Sequence, residues 1–160
     1  MSAQRARTDR PREERIPSEL NRRVWIEEIE PSVDGGRFAA KVIAGDPVEV
    51  TAEIFADGHD HVAAVVRHRA AGGRAPFEVV AMEKVQGDTH RAVFSVEKLR
   101  PWEYTIEAWI DRFATWQSAL GKKARAGQDV ASELMEGAQM LEAAAERGEG
   151  EDQKALRAAA

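Results

Sequence analysis

Candidates for acid–base or metal chemistry in this sequence of 160 residues begin with its histidines. The four histidines are His59, His61, His68 and His90. In His59-Asp60-His61 two imidazoles flank a carboxylate, and both groups are common ligands of divalent metals. The cluster adjoins Gly58, however, and lacks the spacing by which HExxH aligns two imidazoles on one helix face. A solvated loop is the expected setting, and no metal or cofactor is expected.

Carboxylate pairs come next, because cleavage of glycosidic bonds uses two of them. Glu27 and Glu28 are strand neighbours, so their side chains point to opposite faces and cannot converge. Glu103 and Glu107 share a face but lie about 13 Å apart at 3.3 Å per residue. A retaining glycosidase needs its pair at about 5 Å. A solvated sheet face accounts for all four. No GxSxG elbow, P-loop or GxGxxG follows a strand. Ser18, Ser32, Ser95, Ser118 and Ser132 have no evident histidine partner. The sequence therefore identifies no catalytic residue.

Aromatic side chains are more informative. Trp25, Trp102 and Tyr104 are expected in the core. Trp109 falls on the polar side of its strand, next to Glu107. An exposed tryptophan serves as a sugar-stacking platform or as an anchor against another protein surface. Packing is the preferred reading here.

The elements that position these residues follow from hydrophobic spacing. In Trp102–Ile110 the apolar Trp102, Tyr104, Ile106, Ala108 and Ile110 alternate with Glu103, Thr105 and Glu107, which predicts a half-buried strand. After Asp111 the spacing becomes Phe113, Trp116, Leu120, one face of a helix. A first strand begins at Arg23-Val24-Trp25-Ile26, and Pro31 with Asp34-Gly35-Gly36 marks a loop. Further strands are predicted over Val48–Ile54, His61–Arg69, Phe77–Met82 and Arg91–Val96. Gly- and Asp-rich turns separate them, with no crossover helix, so the expected class is a mainly β, antiparallel sandwich.

From Arg112 onward the composition shifts to Ala, Glu, Lys, Gln, Leu and Met, all good helix formers. Val130, Leu134, Ala138 and Leu141 continue the apolar stripe, and Met135 and Met140 flank it. An unbroken helix to Arg147 would be roughly 50 Å long, although Ala126-Gly127 is a candidate break. Gly148-Glu149-Gly150 predicts a turn, and Glu151–Ala160 the start of a second helix that stops uncapped. The expected organisation is a disordered tail over 1–22, a sandwich over 23–111 and a helical hairpin over 112–160, incomplete in its second helix.

Composition sets outer bounds. An apolar fraction of 43% permits a real core, and the net charge of −5 argues against a nucleic-acid role. No cysteine is present, which rules out disulfides and Cys-ligated metal. No apolar run approaches the roughly 20 residues of a membrane helix, and the basic N-terminus has no apolar region behind it, so it is not a secretory signal. A cytoplasmic setting is expected.

Three segments carry a resemblance to a known family. They are Glu107-Ala108-Trp109-Ile110-Asp111-Arg112-Phe113-Ala114-Thr115-Trp116 followed by Ala126-Gly127-Gln128-Asp129-Val130, then Pro31-Ser32-Val33-Asp34-Gly35-Gly36-Arg37-Phe38, then Val50–Asp60. In order and spacing, from about Val24 to Leu141, the chain resembles the N-terminal region of bacterial α-1,4-glucan:maltose-1-phosphate maltosyltransferases. The resemblance implies an immunoglobulin-like sandwich bearing an antiparallel helical hairpin, the two together supplying a homodimer interface. It also implies retaining transfer of maltosyl units from maltose 1-phosphate to α-1,4-glucans, catalysed by an amylase-like (β/α)₈ barrel. That barrel, and a segment returning from the second helix to the sandwich, have no counterpart in this sequence. Trp102 stands where a turn glycine is expected. No family catalytic residue maps onto this chain, which alone is expected to be an inactive, truncated piece.

The expected role is thus an accessory and dimerisation module. Trp109, Phe113, Trp116, Val130, Leu134 and Leu141 are the expected packing anchors, divided between the sandwich–helix junction and a subunit interface. The alternative is a free-standing glucan-binding sandwich with Trp109 as its platform. Expected partners are a second copy, the catalytic barrel and an α-glucan, with no nucleic acid and no membrane.

Overall fold

The computed structural model describes residues 23–160; the tail expected over 1–22 lies outside the described residues. The strands are β1 (Val24–Glu30), β2 (Pro47–Ala56), β3 (Val62–Ala70), β4 (Glu78–Ala81), β5 (Glu83–Gln86), β6 (Thr89–Ser95) and β7 (Trp102–Ile110). They form two antiparallel sheets, one ordered β1-β2-β6-β5 and the other β4-β3-β7. The first order is that of the ABED sheet of an immunoglobulin-like sandwich. The predicted fold class holds.

Alternation places the core. Val48, Val50, Ala52 and Ile54 of β2 point inward, as do Ala64 and Val66 of β3 and Ala92 and Phe94 of β6. Met82 and Val96 close the cluster, and Trp102, Tyr104, Ile106 and Ala108 of β7 pack against it while only partly buried. The position of β7 explains the difference: among the described residues it pairs with β3 on one side and with no strand on the other. Its inward side chains are therefore covered from one flank.

Two expectations need correction. Trp25 is not in the core. In the β1–β2 register Val24 and Ile26 are the residues packed on the core, and Trp25 pairs with Phe55. The two rings stack with centroids 6.0 Å apart. Period-two alternation fixes which residues share a face but not which face is inside, and here the bulkiest residue took the outer one. Strand β5 was also not foreseen: Glu83-Lys84-Val85-Gln86 is exposed throughout, so no burial pattern marks it.

The helical region divides into α1 (Arg112–Arg125), α2 (Ala131–Ala145) and α3 (Gly150–Ala159). The continuous 50 Å helix does not form. The chain leaves α1 through Gly127, whose φ of +68° is costly for any side chain with a Cβ. The N–H groups of Gly127 and Gln128 donate back to the carbonyls of Ala124 and Lys123, satisfying the last turn. No helix among the described residues is long and apolar enough to cross a membrane.

Candidate functional site

The strand-to-helix junction is where sandwich and helices meet. Asp111 follows β7 and caps α1: its Oδ1 accepts the Ala114 N–H at 2.9 Å, the bond an N-cap carboxylate supplies to an orphan donor. Its own N–H donates to the His61 carbonyl at 2.7 Å. Thr115, one turn into α1, accepts the His61 N–H on its hydroxyl at 2.8 Å and donates to the Asp111 carbonyl at 2.7 Å. The β2–β3 loop thus clamps the first turn of α1 from both sides of His61. Of the sequence cluster, His61 contributes only backbone here, and Asp60 pairs with Arg23 at 2.5 Å. Among the described residues no group of three or more metal-ligating side chains converges.

Trp116 joins α1 to α2. Its indole N–H donates to the Glu133 carbonyl at 2.7 Å, and its ring lies flat over Gly137. A Cβ built on Gly137 would stand 2.1 Å from Cζ2 of that ring. Gly137 is buried, and the Phe113 ring is tilted against that of Trp116, centroids 5.1 Å apart. Lys123 of α1 reaches Glu133 of α2 in an ion pair. That bond, with hydrogen bonds from the Glu133 backbone N–H and from Ser132, holds the Glu133 carboxyl below the usual carboxylate range.

The six expected anchors separate into two groups. Trp116, Val130 and Leu141 are partly buried inside the chain. Trp109, Phe113 and Leu134 are exposed by 47%, 39% and 55%, with Met135 at 66% beside Leu134.

A groove of about 350 Å³ runs between the sandwich and the helices. Ile110, Trp116 and Met140 supply its apolar lining, and the charged lining combines Arg23, Arg112 and Lys123 with Asp60, Glu133 and Glu136.

The outer face of the β4-β3-β7 sheet carries a separate polar ladder. Arg67 pairs with Glu107 and Arg69 with Glu103, each at 2.5 Å, and both guanidinium groups lie over the Phe77 ring at 5.0 and 4.1 Å. This explains Glu103 and Glu107 as a paired sheet face, not a catalytic dyad. His68 and His90 are core residues, exposed by 3% and 2%. His68 stacks on Phe94 at 4.0 Å, and His90 Nδ1 lies 2.9 Å from the Asp88 carbonyl. His68 Nε2 also lies 4.0 Å from a carboxylate oxygen of Glu78 on the neighbouring strand β4.

Comparison with known proteins decides what this arrangement is. The family model for α-1,4-glucan:maltose-1-phosphate maltosyltransferase, domain N/S, matches residues 22–160. The chain belongs to this family. Among curated relatives, the α-1,4-glucan:maltose-1-phosphate maltosyltransferase of Chlorobaculum tepidum is 40% identical over 136 residues, covering 85% of this chain and 20% of that protein. That of Myxococcus xanthus is 43% identical over 127 residues, covering 78% and 19%. A third, from Cereibacter sphaeroides, is 42% identical over 130 residues, covering 81% and 19%. The chain spans about a fifth of the length of these relatives. In this chain, domain N/S is a sandwich with a helical appendage, joined at Asp111 and Thr115.

Sequence reasoning missed the Trp116–Gly137 contact and the groove. A glycine inside a run of strong helix formers was the available signal for the contact. Nothing in the sequence marks the groove, since its lining comes from distant segments.

Proposed function

We propose that this chain is the accessory and dimerisation region of a bacterial, cytoplasmic α-1,4-glucan:maltose-1-phosphate maltosyltransferase. Retaining maltosyl transfer to α-1,4-glucans belongs to an amylase-like barrel in the remaining length of such proteins, and domain N/S positions two copies of it. One observation carries the reading: domain N/S is matched over residues 22–160, and the matched stretch covers 20% of the Chlorobaculum tepidum relative. The exposed helix residues Phe113, Leu134 and Met135 support it, because an uncovered apolar stripe is what a helix keeps for a partner.

Light scattering on the full chain tests this. The expected result is a dimer that Leu134→Glu converts to a monomer without altering the far-ultraviolet circular dichroism. Leu134 is exposed in the single chain, so the substitution leaves the internal packing intact. A wild-type chain monomeric at every concentration, or a dimer indifferent to Leu134→Glu, rejects the helical interface.

A second reading, a glucan-binding sandwich, is favoured by the exposure of Trp109. Retardation in glycogen gels that Trp109→Ala abolishes, together with a monomeric chain, would replace the first reading with this one.

A further inference from the structure

Exposed apolar side chains also gather at the end of the sandwich that the helices do not reach. Strand β1 ends at Glu30, β2 starts at Pro47, β6 ends at Ser95 and β7 starts at Trp102, with Pro47 paired to Ser95. Residues 31–46 and 96–101 therefore lie together, opposite the Asp111 junction. The Gly45 N–H joins them by donating to the Val96 carbonyl at 2.9 Å. At this end Val33, Phe38, Val42, Ile43 and Leu99 are exposed by 43%, 62%, 46%, 71% and 94%. Arg23, where the described chain begins, lies at the other end, paired with Asp60.

These segments are held in place by hydrogen bonds. The Gly36 and Phe38 N–H groups both donate to the Val33 carbonyl, at 3.2 and 3.3 Å, closing a small turn that Asp34 and Arg37 span with an ion pair at 3.1 Å. The Tyr104 hydroxyl fixes the Pro31 carbonyl, and the Trp102 indole N–H donates to the Lys98 carbonyl at 3.2 Å, next to Leu99. Single exposed apolar residues are ordinary, but a group of them on one fixed surface marks an interaction site. Pre-ordered backbone loses little entropy on docking, so the gain from covering those side chains is kept.

Symmetry and length select the occupant. In the reading above the helical stripe meets a second copy. A second self-complementary face at the far end would string copies into an open row, not a closed dimer. The matched stretch covers only 20% of the Chlorobaculum tepidum relative, so most of such a protein lies outside this domain and is available to pack on it.

We propose that the end of the sandwich opposite the helices, centred on Phe38, Ile43 and Leu99, is the surface by which domain N/S docks on an apolar face of the remaining length of its maltosyltransferase. This rests on the reading of the chain as an accessory region.

Hydroxyl-radical footprinting tests it, on the 160-residue chain and on a chimera in which residues 22–160 replace the matching stretch of the Chlorobaculum tepidum enzyme. Phe38, Ile43 and Leu99 should be oxidised rapidly in the chain and about fivefold more slowly in the chimera, in proportion to the surface covered. Ile43→Asp with Leu99→Asp should leave the thermal midpoint of the chain unchanged, both side chains being exposed. In the chimera the same pair should restore rapid oxidation of Phe38 and leave the dimer intact in light scattering. Equal oxidation in chain and chimera overturns the proposal, as does a Phe38 that stays protected in the double variant. Slow oxidation already in the chain overturns it too, because the surface is then covered from within. A dimer lost in the double variant overturns it in favour of a second copy at this end. Should the chimera not fold, amide exchange of the intact Chlorobaculum tepidum enzyme decides, over the stretches aligned with 33–43 and 96–101. Exchange there as fast as in the chain overturns the proposal, and slower exchange upholds it. Leu134→Glu reads the helical interface separately, so protection of Phe38 in a chimera that never dimerises upholds this proposal while the dimer reading fails.

Discussion

Replacing Gly137 by alanine sets two opposing effects against each other. In an exposed helix interior, glycine to alanine stabilises by about 1 kcal/mol, because the unfolded chain has less freedom to lose. Here the new Cβ would stand 2.1 Å from Cζ2, 2.5 Å from Cη2 and 2.7 Å from Cε2 of Trp116. The ring is rigid, so it must leave its seat. Leaving breaks the indole bond to the Glu133 carbonyl, 2.7 Å long, at a cost of about 1 kcal/mol. Removing a fully buried tryptophan costs about 3–5 kcal/mol. Trp116 is only partly buried, so roughly half of that, about 2 kcal/mol, is at stake. The losses exceed the helical gain, leaving a net destabilisation of about 2 kcal/mol in the α1–α2 contact. Urea unfolding followed by indole fluorescence should show a lower midpoint for Gly137→Ala, and amide exchange should accelerate in α2 and α3 before it does in β2 and β6. Trp116→Leu should relieve the clash, making the double variant less destabilised than the two single costs added together. A higher midpoint for Gly137→Ala would refute the reasoning, because it would mean that nothing rests on that glycine.

Other predictions concern the clamp and the β1–β7 link. Thr115→Val removes the acceptor of the His61 N–H; stability should fall by about 1–2 kcal/mol in thermal unfolding, and a neutral result would show that water replaces the hydroxyl. The Tyr104 hydroxyl donates to the Pro31 carbonyl at 3.0 Å, and burial, reinforced by the Glu30 charge, raises its pKa above the ordinary 10.0. A raised folded-state pKa means stability is complete below pH 10 and is lost as pH rises beyond it, because the unfolded chain ionises first. Tyr104→Phe should abolish that alkaline slope while costing about 1 kcal/mol at neutral pH; a slope that survives the substitution assigns the loss to another group. Glu133 behaves oppositely. Its lowered pKa means the stability from the Lys123 pair is present at neutral pH and is lost as pH falls below the ordinary carboxylate value of 4.5. In acid and neutral unfolding scans Glu133→Gln should therefore lower stability in the neutral region and flatten the acid limb, and an acid limb that is unchanged assigns it to another group.

Most of the sandwich was legible because its strands alternate cleanly. Val48 to Ile54 and Trp102 to Ile110 each present one apolar and one polar row, and the structure buries the row that the alternation marks. Trp25 shows the limit of that reasoning: its strand offers large apolar residues on both faces, and the register with β2 chose Val24 and Ile26 for the interior. β5 failed for the complementary reason, having no buried face to leave a pattern. In the helices, the good helix formers predicted helix, and the candidate break at Ala126-Gly127 is where α1 ends, at a glycine of positive φ. The candidate anchors were legible as apolar positions. Their division into Trp116 inside and Leu134 outside was not.

By itself the sequence determined what is local or shared along the chain: the sandwich class, the strand-to-helix switch after Asp111, the lack of a catalytic motif and the family resemblance. Periodicity and motif spacing are one-dimensional properties, and they survive without coordinates. The tertiary structure alone decided which groups meet across long separations. It brought Thr115 to the His61 backbone, laid Trp116 on Gly137, and gathered Asp60, Arg112 and Glu136 around one groove. Such contacts depend on loop closure and on how two packed layers sit against an appended helix pair. No local pattern in the chain encodes that geometry.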